Sequence, residues 1–109
     1  MIITSTVNNG ITSISIEGKL DTSSSEEAQA KLSSIASQGT KMLMNLEKLE
    51  FVSSIGLRII LMQAKELKKH GGELRICNLQ TAVKEVFTIS GFSQILNIFD
   101  SQDEALKEF

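Results

Sequence analysis

The chain has 109 residues with 11 basic and 13 acidic side chains, a formal net charge of -2, one cysteine, one histidine and no proline. This length predicts one domain over residues 1–109, with a core that needs no disulfide or metal. Because Cys77 has no partner for a disulfide, a reducing compartment, the cytoplasm, is expected. The longest apolar run, Ile59–Met62, is too short for a membrane span or a secretory signal. Mild acidity and few aromatic side chains argue against direct binding of nucleic acid.

The first third of the chain predicts a β-hairpin followed by a helix. Ile2–Val7 and Ile11–Glu17 are strand-like runs that flank Asn9-Gly10, a dipeptide that readily adopts the positive φ angles of a tight turn. The second run alternates apolar and polar residues, so one face of the sheet should be buried there and the other exposed. A helix capped by the serines that follow is expected to run to about Ser37 and to end at Gly39.

Strand and helix patterns then alternate to the end of the chain. Met42–Leu46 is apolar on both faces, which favours a central strand, and residues 47–53 are predicted to be a short connection. This order predicts an α/β fold with a mixed β-sheet of about five strands and about four helices. The remaining predicted elements are a helix at Ser54–Lys69, a strand at Leu74–Cys77, a helix capped by Asn78 and ended by Gly91, a strand at Leu96–Phe99 and a helix after Ser101.

The residue types that carry out catalysis are few and far apart. His70 is the only imidazole, and a helix over Ser54–Lys69 would place it about 24 Å from Ser54, beyond the distance of proton transfer. One His and one Cys in separate elements give no zinc site of the usual spacing. The sequence also contains no glycine-rich loop of the kind that holds nucleotide phosphates. We therefore expect a protein that is not an enzyme, with no catalytic residue, no metal and no cofactor.

The segment between the third strand and the second helix is the best candidate for a functional site. Loops at the carboxyl ends of parallel strands carry function in open α/β sheets, and Ser53 or Ser54 would lie beside the free N–H groups of a helix N-terminus. The alternative is that Ser54 is only the N-cap of the helix and Ser53 a connecting residue. In the helix itself, Ile55, Ile59 and Met62 form a second apolar stripe, which either packs against neighbouring helices or is exposed for docking.

Several short motifs occur in order along nearly the whole chain. They are Gly18-Lys19-Leu20-Asp21, Leu46 to Leu57 (LEKLEFVSSIGL), Gly71 to Ile76 (GGELRI), Phe87 to Phe92 (FTISGF), Ile98 to Ser101 (IFDS) and Glu104 to Leu106 (EAL). In this order and spacing they resemble the motifs of bacterial anti-sigma factor antagonists of the STAS domain family. The resemblance implies a single STAS domain with a mixed sheet and accompanying helices, in agreement with the predicted elements.

The resemblance also implies a switch that is controlled by phosphorylation. The phosphorylated serine of the family lies two residues before the glycine of the motif, which here is Ser54 before Gly56. An unphosphorylated antagonist of this kind binds an anti-sigma factor that is also a serine kinase, phosphorylation releases the complex, and a serine phosphatase resets it. The implied partner-binding residues are Phe51, Val52, Ser53, Ser54, Ile55, Gly56, Arg58, Ile59 and Met62.

One position departs from the family pattern, which usually has Asp immediately before the phosphorylated serine, where this chain has Ser53. Three possibilities follow: an adjacent second phosphorylation site at Ser53, a different kinase, or a protein that binds without being phosphorylated. Because STAS-like domains also regulate transporters, an accessory module of a transporter or lipid-transport complex is the alternative function.

Overall fold

The structure, a computed structural model, describes residues 1–36 and 40–109. The described residues form six strands, four α-helices and one 3-10 turn at Phe92–Gln94. None of these helices combines the length and the apolar character needed to cross a bilayer. In chain order the elements are β1 (Ile2–Asn8), β2 (Ile11–Leu20), α1 (Ser25–Ile35), β3 (Lys41–Asn45), β4 (Leu49–Val52), α2 (Ser54–Lys69), β5 (Glu73–Cys77), α3 (Thr81–Ile89), β6 (Asn97–Phe99) and α4 (Gln102–Leu106).

The strands form one mixed sheet in the order β1-β2-β3-β5-β6, with β4 also paired to β2. β1 and β2 are antiparallel, and the other pairs are parallel. The hairpin turn falls at Asn9 and Gly10, whose φ angles of 54° and 77° are the positive values that the dipeptide predicts. The α/β class, the mixed sheet and the four helices expected from the sequence are therefore confirmed.

The strand β4 corrects the prediction that residues 47–53 are only a connection. It pairs with the end of β2, and the register shifts between Gly18 and Lys19 so that β4 carries one extra residue. Leu49 and Val52 are buried, whereas the residues between them are exposed. The bulge thus breaks the alternation by which a strand is recognised in a sequence.

The central strand β3 is buried on both faces, as its composition predicts. Met42 and Met44 belong to the main core, to which α1, α2 and α3 contribute. Leu43 points to the other face, where it packs in a smaller cluster with Cys77 and with Ala105 of α4. The domain therefore has three layers, with α1 to α3 on one face of the sheet and α4 on the other.

Two predicted helix caps differ in the structure. Ser24 precedes α1 but makes no capping bond with its side chain, whose hydroxyl donates to the Lys19 carbonyl at 2.9 Å and accepts from the Asp21 N–H at 3.0 Å. Asn78 does not cap α3; its φ of 60° makes it part of the turn that leaves β5. The predicted end of α1 at Ser37 and Gly39 lies outside the described residues.

Candidate functional site

The candidate site is the junction of β4 and α2, at the carboxyl end of the parallel strands. Leu20 of β2 lies opposite Val52 of β4, so both strands leave the sheet at the same edge. The Ser53 N–H donates to the Leu20 carbonyl at 2.9 Å and extends the pairing one residue beyond β4. The turn into α2 is therefore fixed to the end of β2.

Ser53 is the N-cap of α2. Its backbone is extended, with φ -91° and ψ 175°, and its Oγ accepts a hydrogen bond from the Gly56 N–H at 3.2 Å. Its carbonyl accepts a second bond from the Leu57 N–H at 2.9 Å. The helix begins at Ser54 as predicted, but its N-cap is Ser53 and not Ser54, because the Ser53 side chain accepts the bond from the first turn.

Ser54 is the first residue of α2, and its side chain is free. It is exposed, and its hydroxyl forms no hydrogen bond within the part of the chain that the structure describes. The first turn of α2 contains no acidic side chain, so the partial positive charge of the helix N-terminus is not offset there. A negative group attached to Ser54 would therefore interact favourably with the helix dipole.

Gly56 allows α2 to approach β2 closely. A Cβ at this position would lie 2.7 Å from the Leu20 carbonyl oxygen and 2.8 Å from Cγ2 of Val52. Both distances are well below the roughly 3.5 Å at which carbon atoms make favourable contact. A larger residue would push the helix away from the strand, so Gly56 determines where Ser53 and Ser54 lie above the sheet edge.

The predicted partner-binding residues divide by their exposure. Those whose side chains reach solvent, wholly or in part, we call the docking face: Phe51, Ser53, Ser54, Ile55, Arg58 and Met62. Phe51 and Met62 are its large exposed apolar side chains, at 48% and 49% exposure. Val52, Gly56 and Ile59 are buried and present little surface to a partner.

The second apolar stripe of α2 has two different surroundings. Ile59 is 6% exposed and belongs to the main core, on a helix that packs against α1. Ile55 is partly buried against the same core, and Met62 is exposed. Packing against a neighbouring helix therefore explains why Ile59 is apolar. For Met62 and for the exposed edge of Ile55, a role in docking a partner remains a prediction.

Lys19 and Asp21 adjoin the docking face, a position that the sequence alone does not indicate. Lys19 lies opposite Phe51 in the register of β2 and β4, and both side chains are exposed. The Asp21 carboxylate accepts hydrogen bonds from the Ser23 hydroxyl at 2.7 Å and from the Ser23 N–H at 3.0 Å, which lowers the pKa of Asp21. The sequence shows the motif Gly18-Lys19-Leu20-Asp21, but it does not show that this motif pairs with β4, because the pattern of residues 47–53 predicts no strand there.

His70 lies at the other end of the helix that Ser54 begins. It is the C-cap residue of α2, and its Nε2 pairs with the Glu66 carboxylate at 3.1 Å. Within residues 1–36 and 40–109, no group of His, Cys, Asp and Glu side chains is suited to hold a metal ion. What the β4–α2 junction offers chemically is a free hydroxyl surrounded by exposed apolar and basic side chains.

The family model for the STAS domain matches residues 3–105, almost all of the chain. The chain belongs to the STAS domain family. BtrV of Bordetella bronchiseptica, described as an anti-sigma factor antagonist, is 35% identical over 95 residues, which make up 86% of this chain and 82% of that protein. The relationship indicated by the motifs is thus confirmed.

Two solved structures resemble this STAS domain over nearly their full lengths. One is a protein of Thermotoga maritima described as an anti-sigma factor antagonist, with a TM-score of 0.89, 18% identity, and coverage of 97% of this chain and 92% of that one. The other is the anti-sigma factor antagonist SpoIIAA in its unphosphorylated form, with a TM-score of 0.76, 24% identity, and coverage of 96% and 93%. SpoIIAA has also been solved in its phosphorylated form. At these identities the two proteins show the shared fold.

Proposed function

We propose that this STAS domain is an anti-sigma factor antagonist that works by partner switching. When unphosphorylated, it binds an anti-sigma factor that is also a serine kinase, which leaves a sigma factor free to direct transcription. Phosphorylation of Ser54 releases the complex, and a serine phosphatase restores the binding form. The domain acts by binding and carries out no catalysis of its own. The observation that carries the proposal is the free, exposed hydroxyl of Ser54 within the docking face.

The fold tolerates a phosphate at Ser54. Phosphoserine carries about -1.5 to -2 charges at neutral pH, and position 54 is the first residue of α2, where a negative charge is stabilised by the dipole. The first turn has no acidic side chain to repel it. Phosphorylation is therefore expected to change the surface of the domain and to leave its fold intact.

An interface that covers Ser54 would not tolerate the same phosphate. Phe51, Ile55 and Met62 present apolar surface on the docking face, and a partner that covers them also removes water from Ser54. A dianion enclosed in that way loses its hydration, and neutral apolar neighbours return nothing for it. Phosphorylation thus opposes binding chiefly through desolvation, with added repulsion where the partner is acidic.

Arg58 gives the phosphate a partner within the same helix. It is exposed and lies four residues after Ser54, the spacing that places side chains next to each other on a helix surface. Guanidinium and phosphate groups form strong paired hydrogen bonds. While Ser54 is unphosphorylated, Arg58 is therefore available to bind an acidic partner. After phosphorylation Arg58 pairs with the phosphate instead, and the loss of its contact with the partner adds to the release of the complex.

The structure supports Ser54 over Ser53 as the phosphorylation site. The Ser53 hydroxyl is partly buried and accepts the capping bond from Gly56, whereas the Ser54 hydroxyl is exposed and free. Asp and Ser are comparably good N-caps, so Ser53 in place of the family's Asp preserves the start of α2. A phosphorylation site at Ser53 is the alternative within the same loop.

The names of the relatives favour the antagonist over the transporter-module alternative. BtrV, which is related by sequence, is described as an anti-sigma factor antagonist, and SpoIIAA occurs in unphosphorylated and phosphorylated forms. A single STAS domain over residues 1–109 that acts in the cytoplasm, without direct contact to nucleic acid, is consistent with this function.

The proposal is tested by capture and phosphate mapping. The unphosphorylated protein is immobilised, the captured kinase is purified and incubated with the protein and ATP, and mass spectrometry locates the phosphate. Ser54→Ala should bind the kinase and remain unmodified. Ser53→Ala, the matched variant that removes the neighbouring hydroxyl, should bind and still be modified at Ser54.

Three results would change the proposal. Phosphate on Ser53 with none on Ser54 would keep the loop and move the switch by one residue. Phosphate only outside the β4–α2 junction would overturn the role of the docking face. Capture of a transporter subunit, with no kinase and no transfer from ATP, would replace antagonism with the accessory-module function.

A further inference from the structure

The exposed side of α2 carries a row of basic side chains that continues from the docking face. At about 3.6 residues per turn, Ser54, Arg58, Lys65 and Lys69 fall within about 60° of one another around the helix axis, and all four are exposed. We call Arg58, Lys65 and Lys69 the basic stripe. The stripe extends over about 16 Å at 1.5 Å per residue, from the second turn of α2 to its last residue.

The charge of α2 differs in sign from that of the rest of the chain. The helix has four basic side chains, which are the basic stripe and Lys68, and one acidic side chain, Glu66. The residues outside α2 include seven basic and twelve acidic side chains. Positive charge is thus concentrated on one helix of a chain whose net charge is -2, and this surface attracts a partner with negative charge.

Within the part of the chain that the structure describes, no acidic side chain pairs with the basic stripe. The ion pairs there involve other basic side chains. Glu66, which lies three residues before Lys69, pairs instead with His70 at 3.1 Å. The three charges of the stripe are therefore available to acidic groups outside the domain.

The stability of α2 does not account for the basic stripe. Basic side chains in the last turn of a helix interact favourably with its dipole, which explains Lys68 and Lys69. Arg58 and Lys65 lie before the last turn. In addition, Lys65 and Lys69 are four residues apart, a spacing at which like charges destabilise a helix. The row of charges instead has the arrangement that complementarity to an acidic partner requires.

We propose that the basic stripe binds an acidic surface of the anti-sigma factor kinase, next to the part of the kinase that covers Ser54. The inference rests on the proposed function for the identity of this partner. Attraction between the two charged surfaces orients α2 during the encounter and raises the association rate. The same acidic surface repels a phosphate on Ser54, so the stripe also explains part of the release.

The test measures the association rate between the unphosphorylated full chain and the kinase that the immobilised protein captures. The purified kinase is studied by surface plasmon resonance at about 50 mM and about 300 mM NaCl. The association rate should fall at least about tenfold between the two conditions, because salt screens the attraction between the charged surfaces.

Two double variants with the same net charge locate the attraction. Lys65→Gln/Lys69→Gln should lower the association rate about tenfold at the lower salt concentration. Lys31→Gln/Lys107→Gln, the matched control, removes two exposed lysines outside α2 and should stay within about twofold of the unmodified protein.

A third variant and the unfolding temperature separate the effect of charge from an effect on the fold. Lys65→Arg/Lys69→Arg keeps both charges and should associate like the unmodified protein. Since Lys65 and Lys69 are exposed and Gln and Arg are good helix formers, all the variants should unfold at the temperature of the unmodified protein.

Three results would overturn the basic stripe as the binding site. They are an association rate that does not depend on salt, equal rates for the Lys65→Gln/Lys69→Gln variant and the matched control, and a rate that Lys65→Arg/Lys69→Arg lowers as much as the glutamine variant does. Binding of the domain to duplex DNA that is tighter than binding to the kinase, and that is lost in Lys65→Gln/Lys69→Gln, would assign the stripe to nucleic acid and also overturn the proposal.

The test distinguishes a failure of the stripe from a failure of the phosphorylation switch. A kinase that phosphorylates Ser54 and is released, but associates equally with all the variants, would overturn the stripe alone. A kinase whose association depends on Lys65 and Lys69, but whose affinity is unchanged by phosphoserine at position 54, would support the stripe and overturn the switch.

Discussion

Gly56→Ala is the substitution whose effect follows most directly from the structure. The added Cβ would lie 2.7 Å from the Leu20 carbonyl oxygen, 2.8 Å from Cγ2 of Val52 and 2.9 Å from Cγ of Leu20. The carbonyl belongs to the paired end of β2 and accepts the Ser53 N–H, so it cannot move without loss of that bond. The helix must therefore shift away from the sheet.

The size of the effect comes from two opposing terms. Insertion of one methyl group into a packed contact costs about 1–3 kcal/mol. Within a helix, Ala stabilises the folded state by about 0.5–1 kcal/mol relative to Gly, which offsets part of that cost. We expect a net decrease of about 1–2 kcal/mol in the free energy of unfolding, which for a domain of this size lowers the unfolding temperature by about 5–10 °C.

Urea and thermal unfolding of Gly56→Ala, with Ser54→Ala as the control in the same helical turn, measure this cost. Ser54 is exposed and its hydroxyl has no partner among the described residues, so its replacement by Ala should change stability by less than about 0.5 kcal/mol. Affinity for the anti-sigma factor should fall in Gly56→Ala even where the protein is folded, because the docking face moves with α2. Stability of Gly56→Ala equal to or above that of the unmodified protein would refute the close packing of α2 on Leu20.

Three further predictions concern other parts of the domain. Ser53→Ala should lower the free energy of unfolding by about 1 kcal/mol because the cap is lost, whereas Ser53→Asp should keep it within about 0.5 kcal/mol, both measured in urea. Burial, with a smaller contribution from the Glu47 carboxylate, raises the pKa of Cys77 from 9.0 to about 11. The stability that this thiol contributes is therefore present below pH 9.0 and is lost as the pH rises toward about 11, and Cys77→Ala should lack that part of the alkaline loss. Arg75→Lys should increase hydrogen exchange in α4, because the Arg75 guanidinium donates to the Ala105 carbonyl at 3.0 Å and lysine lacks the planar fork.

Each of these predictions has an outcome that contradicts it. Equal stability of Ser53→Ala and the unmodified protein would remove Ser53 as the cap. The same alkaline dependence of stability in Cys77→Ala would show that other groups cause it. Unchanged exchange in α4 of Arg75→Lys would mean that α4 is held by its apolar contacts alone.

The bounds of α2 could be predicted from the sequence because several independent signals agree there. Serines precede an apolar helical pattern, basic side chains end it, and Gly71 follows with a φ of 84°. The strand β4 could not be predicted in the same way. It depends on a bulged pairing with β2, a contact between segments distant in the chain, and its own four residues show no alternation of buried and exposed side chains.

The candidate site could be predicted only in part, because a local motif identifies some of its residues and contacts between distant segments bring in the others. Ser54 and Gly56 are two residues apart in the sequence, so one short motif contains both. Lys19 becomes a neighbour of Phe51 only through the β2–β4 pairing, and the burial of Ile59 depends on α1. Local signals located the loop, and tertiary contacts decided which of its residues face solvent.

The proposed switch is tested most directly by the affinity of the anti-sigma factor kinase for protein that carries phosphoserine at position 54. The comparison is with the unmodified protein and with protein that carries phosphoserine at position 53, and circular dichroism of the same samples reports the fold. We predict at least about 30-fold weaker binding for phosphoserine at 54 with an unchanged spectrum, since removal of the charged phosphate from water at an interface costs about 2 kcal/mol or more. Equal affinity of the Ser54-phosphorylated and unmodified proteins would contradict the switch, as would a loss of binding that is accompanied by unfolding.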